Sequence, residues 1–189
     1  MNMMIDASLG RGNCCPYPPY PFPPQPTPPQ PFPPTPAPPI PVPLREPDTL
    51  SVQLATAQTA LANGAAIPMT GSLRQTGSGL SYDAASRAVL VTEPGVYAFN
   101  WNVLVQSEGT EGDAAIALQS LDGQTVLAVS GAPAVPATGG TLISGAAVAY
   151  LPAGTAWALV NVSGAAINIP VAGIAPNVFA ASMTVAEAK

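Results

Sequence analysis

The sequence runs to 189 residues, of which only 8% are Asp, Glu, Lys or Arg, against roughly 25% in an ordinary soluble protein. The net charge is −5 and the only basic residues are Arg11, Arg45, Arg74, Arg87 and Lys189, so the clustered cations that grip phosphate backbones are missing and nucleic acid is not expected as a partner. No run of about 18 apolar residues occurs, which argues against a transmembrane helix; a 48% hydrophobic content beside so few charges predicts instead a surface covered by other copies of the chain.

The chain opens with MNMMIDASLGRGNCC. A basic stretch followed by an apolar one is missing there, so no secretory signal peptide is expected. Residues 1–15 read as a separate segment in which Met3, Met4, Ile5 and Leu9 are candidate docking residues. They are expected to seat on apolar surface of the head of a neighbouring assembly, a head-to-tail contact that does not close and therefore builds a filament. The alternative is an anchor to a basal protein layer. Cys14 and Cys15 are adjacent and are the only cysteines. A bridge between neighbours in one chain is strained, because the small ring resists the preferred χ3 of about 90°, so partners in other chains are expected. If three chains meet here, Cys14 of each can bridge Cys15 of the next. Free thiols and an inter-chain metal site stay open, although the sequence has no histidine and two thiolates per chain reach four ligands only through symmetry.

Residues 16–47 are the proline-rich part, since 18 of the 25 prolines fall before residue 48. From Pro16 the chain repeats P-x-P-P-x five times and begins a sixth copy. Proline fixes its own φ and pushes the preceding residue to extended angles, which favours polyproline II. At about 3.1 Å per residue, Pro16 to Leu44 spans on the order of 90 Å. Glycine is absent from the stretch, so a collagen triple helix is excluded. The composition is that of a semi-rigid spacer. Two other roles stay open: a PxxP ligand for an SH3- or WW-like groove, and lateral packing of three stalks through Tyr17, Tyr20, Phe22, Phe32 and Ile40.

Residues 48–189 have the size of a single domain and the punctuation of an all-β one, with short strands and a turn signal every eight to twelve residues or so. The clearest strand is Val96–Val105, where Tyr97, Phe99, Trp101 and Val103 share one face by period-two alternation and are expected in the core. Asn100 and Asn102 fall on the other face, either solvated or hydrogen-bonding in a subunit interface. Pro94-Gly95 introduces this strand, and Asp122-Gly123 between AIALQS and QTVLAVS signals a hairpin. Further strands are expected at Ser51–Ala62, Thr141–Leu151, Thr155–Val162 and Asn177–Ala186. Trp157 and Phe179 are placed in the core by the same alternation. In Asn177–Ala186 both faces carry apolar residues, as a strand covered on both sides does.

Little in the inventory suits catalysis. The sequence lacks histidine, its one lysine is Lys189, and its cysteines sit at the stalk junction, so the usual bases and activated nucleophiles are missing and no catalytic residue is expected. Glu108, Glu111 and Asp113 could offer oxygens to Ca²⁺, but an odd trio falls short of the ligand set that ion takes. A solvated loop is the simpler reading, and no metal or cofactor is expected.

The strings SGLSYDAASRAVLVTEPGVYAFNWNV, VAYLPAGTAWALVNVSG and VFAASMTV resemble the tumour-necrosis-factor/complement-type jelly roll in its bacterial form. That form is the C-terminal domain of collagen-like exosporium glycoproteins and related endospore appendage subunits. The marks that carry the resemblance are the turn-to-strand motif Glu93-Pro94-Gly95-Val96-Tyr97 and the turn Leu151-Pro152-Ala153-Gly154. The resemblance implies an antiparallel two-sheet jelly roll, a homotrimer around a three-fold axis, and a place on the spore surface. Here a P-x-P-P-x array stands where those glycoproteins carry Gly-X-Y repeats. Anchor, stalk and trimeric head together point to a structural, self-assembling fibre subunit with itself and a basal spore-coat or exosporium protein as partners. The alternative is a trimeric tip adhesin that binds a receptor or glycan.

Overall fold

The computed structural model describes residues 21, 24, 25, 45–70, 73–171 and 179–188. The chain divides into two units, Met1–Val42 and Pro43–Lys189, and every strand among the described residues belongs to the second. In chain order the strands are β1 (Thr49–Leu54), β2 (Gln58–Leu61), β3 (Leu73–Thr76), β4 (Leu80–Asp83), β5 (Ala88–Val91) and β6 (Gly95–Ser107). They are followed by β7 (Gly112–Ser120), β8 (Val126–Val135), β9 (Thr141–Leu151), β10 (Thr155–Asn161), β11 (Ile167–Ile169) and β12 (Ala181–Glu187).

These strands form two antiparallel sheets. The smaller reads β4-β5-β10-β7-β8. The larger is organised by β6, which pairs with β9 along one edge and with β12 along the other; β1 and then β3 continue outward from β12. The short β11 takes over from β12 at the end of β6 and carries β2. Apart from that end piece, the larger sheet is β3-β1-β12-β6-β9.

Alternation places Tyr97, Phe99, Trp101, Val103 and Val105 of β6 between the two sheets, all buried, together with Leu50, Val52 and Leu54 of β1 and Met183 and Val185 of β12. Ile116, Leu118, Val89, Val91, Trp157 and Leu159 face them from the smaller sheet. The aromatic bulk of β6 demands small neighbours on β9. Phe99 stands opposite Ala147 and Trp101 opposite Gly145, where an added Cβ would lie 2.2 Å from the Trp101 ring.

Three expectations are corrected. Phe179 is not core: it is 40% exposed and precedes β12, whose pairing ends at Ala181 opposite Val103 and Leu54. The stretch Ser51–Ala62 is not one strand. Its inward series Leu50, Val52, Leu54 would continue with Thr56 and Gln58, which the core cannot take, so the chain leaves β1 and re-pairs as β2 against β11. The strand expected at Asn177–Ala186 leaves out Phe179 and Ala180 and runs over Ala181–Glu187, with half-buried Ser182 and exposed Thr184 on its outer face. Thr141–Leu151 coincides with β9, and the Asp122-Gly123 turn joins β7 to β8.

Candidate functional site

Cys14, Cys15, Met3, Met4, Ile5 and Leu9 lie outside the described residues. Tyr97, Phe99, Trp101, Val103 and Trp157 are buried, so they build the fold rather than a surface site. Glu108 and Glu111 are exposed between β6 and β7 and Asp113 is exposed at the start of β7; the Asp113 carboxylate accepts the Ala134 N–H at 3.2 Å. Among the described residues no group of three or more side chains could hold a metal ion.

The feature that stands out is the outward face of the larger sheet. Strand β9 carries apolar side chains on its outward face. Because β6 fills the core, the inward positions of β9 between the buried Ile143 and Leu151 are the small Gly145, Ala147 and Ala149, while Leu142, Val148 and Tyr150 point away. Leu142, Val148 and Tyr150 are 60%, 69% and 67% exposed. Their cross-strand partners on β6 extend the patch: Val96 beside Tyr150, Ala98 beside Val148, Leu104 beside Leu142. Across β9, β6, β12 and β1 no outward residue is Asp, Glu, Lys or Arg. The first cation, Arg74, stands on the edge strand β3. Covering a side chain such as Leu142 or Val148 is worth roughly 1.5–3 kcal/mol each when burial is complete, so the face gains most when another surface closes on it.

Within this face runs a polar band. Asn100 is flanked by Ala146 and Thr184, and Asn102 by Ser144 and Ser182. The Ser144 hydroxyl donates to Asn102 Oδ1 at 2.6 Å, and Thr184 reaches Ser51 at 3.5 Å.

A second constellation lies where the chain leaves the proline-rich region in sequence. Asp48 is wholly buried. Its Oδ1 accepts the Gly79 N–H at 3.1 Å, and the Arg45 guanidinium bridges it to Glu93. The Glu93 carboxylate holds that guanidinium above its ordinary pKa, with Asp48 and Glu187 adding to the effect. Tyr97 donates its hydroxyl hydrogen to the Glu93 carbonyl at 2.8 Å, and burial raises the phenol's pKa. The other buried polar residue among the described ones, Asn161, is satisfied by the carbonyls of Leu61 and Ala165 and by the Ser163 N–H. Low charge content is the sequence signal that marks the sheet face. The Asp48 cluster has no local signal, because its partners are spread from residue 45 to residue 187.

Two antiparallel sheets in this strand order make a jelly roll of the tumour-necrosis-factor type, and solved structures agree on that architecture. The chain is similar to Eiger TNF from S. frugiperda, at 13% identity and a TM-score of 0.57 over 77% of this chain and 94% of that one. It is also similar to murine APRIL, at 12% identity and 0.53 over 76% of this chain and all of that one. The globular domain of zebrafish complement 1qA protein matches at 16% and 0.52 over 73% and 94%. No protein-family model and no curated protein matches the sequence.

Proposed function

We propose that the chain is a structural subunit of a self-assembling surface fibre. Three heads close on one another as a homotrimer through the outward face of the larger sheet, and trimers join head to tail through the N-terminal segment. The observation that carries the reading is the uncharged face on which Leu142, Val148 and Tyr150 stand outward. A patch of this kind marks an interaction surface, and the absence of charge suits a second copy of the same face, which offers no opposite charge to pair with. The proline-rich repeat supplies a stiff spacer, the cysteine pair a means of cross-linking, and the resemblance to spore-surface jelly rolls the setting: a spore appendage or exosporium filament fixed to a basal protein. Catalysis has no place in this reading, since histidine is absent from the sequence.

With reductant, which opens the cysteine cross-links that hold the fibre together, light scattering of the purified chain should give one species at three times 19.0 kDa, and negative-stain microscopy without reductant should show filaments. A monomer at micromolar concentration overturns the trimeric head. Discrete trimers that never chain move the reading to a tip adhesin. One observation favours that second reading: an open cavity of about 300 Å³ where Ser120, Asp122, Thr125, Tyr150 and Thr155 converge, which a glycan array would test.

A further inference from the structure

The outward face of the larger sheet is not uniformly apolar, and the arrangement of its exceptions is informative. Along β6 the outward side chains run Val96, Ala98, Asn100, Asn102, Leu104. The rung through Ala98 carries Val148 on β9 and Ala186 on β12, and beyond Leu104 stands Leu142. Between these apolar rungs lie two consecutive polar ones. The first is Ala146–Asn100–Thr184–Ser51, and the second is Ser144–Asn102–Ser182–Gln53.

The hydrogen bonds inside this band are incomplete. Asn102 Oδ1 is taken by the Ser144 hydroxyl, while among the described residues neither the amide nitrogen of Asn102 nor the side chain of Asn100 makes a hydrogen bond. A carboxamide offers two donors and a two-lone-pair acceptor, so each copy presents unused capacity of both kinds. In an isolated copy water satisfies it. When copies meet across the surrounding apolar rungs, water is expelled and the amides must find partners in the neighbouring chains, or the assembly bears the cost of buried unmet groups.

We propose that Asn100 and Asn102 are the specificity-determining residues of the assembly, their amides fixing one register and one copy number. The proposal rests on the homotrimer reading above. The physical reason is an asymmetry between contact types. Apolar rungs attract one another in nearly any sliding or rotated arrangement, because the hydrophobic effect has no direction. Carboxamides do not: an arrangement that brings each donor to an acceptor is tolerated, and every other is penalised. A buried polar residue in an apolar seam selects oligomer state in this way. The amide serves both roles at once, which suits an interface between identical faces, where a charged group would meet its own like.

The test uses the full chain, with reductant present throughout so that the cysteines cannot hold copies together. Native mass spectrometry and light scattering compare the wild type with N100L/N102L and N100A/N102A. Both pairs are exposed on a free head, so the head should fold, and the alanine pair covers the case in which the leucine pair precipitates. The wild type should show a single mass at three times 19.0 kDa. The double variants should remain associated but spread over two or more copy numbers. A double variant that keeps the single wild-type mass overturns the proposal, and so does one that falls to monomers, because the amides would then hold the copies together rather than choose among arrangements. V148E separates this failure from that of the underlying reading. If V148E keeps the wild-type mass, the face itself is wrong and the proposal falls with it. If V148E is monomeric while N100L/N102L keeps the single mass, only the proposal falls.

Discussion

The carboxylate of Asp48 sits against the backbone of Gly79, accepting its N–H at 3.1 Å from a wholly buried position. Space for it exists only because residues 77 and 79 have no side chains. A Cβ on Gly77 would lie 1.7 Å from one carboxylate oxygen, and one on Gly79 would lie 2.2 Å from the other. The turn between β3 and β4 is thus folded around the carboxylate, and Arg45 ties the same group to Glu93 at the turn before β6.

Gly77→Ala should therefore be among the more damaging substitutions in the head. Gly77 has φ +74, where an L-residue costs roughly 1–2 kcal/mol, and the new methyl would displace a carboxylate whose buried hydrogen bond is worth about 1–3 kcal/mol to keep. A loss of about 2–4 kcal/mol in denaturant unfolding is expected. Ser78→Ala, which removes only the long 3.3 Å contact to Glu93 at the surface, should change stability by less than about 0.5 kcal/mol.

Gly145→Ala addresses the large-small pairing of β6 and β9. The methyl would lie 2.2 Å from the Trp101 ring and 2.3 Å from the Ser130 hydroxyl. Because Trp101 is fully enclosed, overpacking of about 1–3 kcal/mol is expected, accompanied by a change in Trp101 emission that Gly164→Ala should not produce. Gly164→Ala puts no new atom within 4 Å of another group, and its cost comes from φ +76 alone.

The parts of the fold legible in the sequence are those where one period runs long enough to dominate. Tyr97 to Val103 alternate without a break, and TLISGAAVAYL is framed by turn residues, so β6 and β9 are read directly. Strand β3 is LRQT with every residue exposed, and β11 has three residues; neither offers a pattern, and tertiary pairing alone makes them strands. Alternation puts Phe179 in the core because it carries no mark of where pairing stops. The scarcity of charge is legible in the sequence, but only the topology shows that Leu142, Val148 and Tyr150 share one exposed face, since in sequence they look like half of an ordinary core strand.

The pH dependence of stability should be a wide plateau with two limbs. In the β4–β5 turn the Ser86 hydroxyl, at 2.6 Å, and the Ala85 and Ser86 N–H groups hold Asp83 below its ordinary pKa. In the β7–β8 turn the Ser120 hydroxyl and the Gln124 N–H do the same for Asp122. A carboxylate lowered on folding contributes stability that is complete above its unfolded value of about 3.9 and is lost as pH falls through the folded one. Burial raises the Tyr82 and Tyr97 phenols, so their contribution is complete below about 10 and lost as pH rises through the folded values. With no histidine in the chain, the melting temperature should be level from about pH 5 to about pH 8. D83N/D122N should flatten the acid limb. A slope centred near neutrality would contradict the account.

The last prediction concerns how stability depends on concentration. If heads close through the face that bears Val148, each melting event releases separate chains, and the midpoint must rise with total protein because association stabilises the folded form by mass action. The dependence should be clear over a hundredfold dilution series with reductant present. Val148→Glu places an anion at the 69% exposed centre of the patch. On a free head it meets water and costs little; in a closed interface three such anions would be buried without partners, a situation that costs several kcal/mol per ion. The variant should therefore melt at a temperature independent of concentration and run as a 19.0 kDa species, with the far-ultraviolet spectrum of the wild type. A V148E chain whose midpoint still climbs with concentration would show that copies meet elsewhere, and the exposed edges of β3 and β8 would become the surfaces to substitute next.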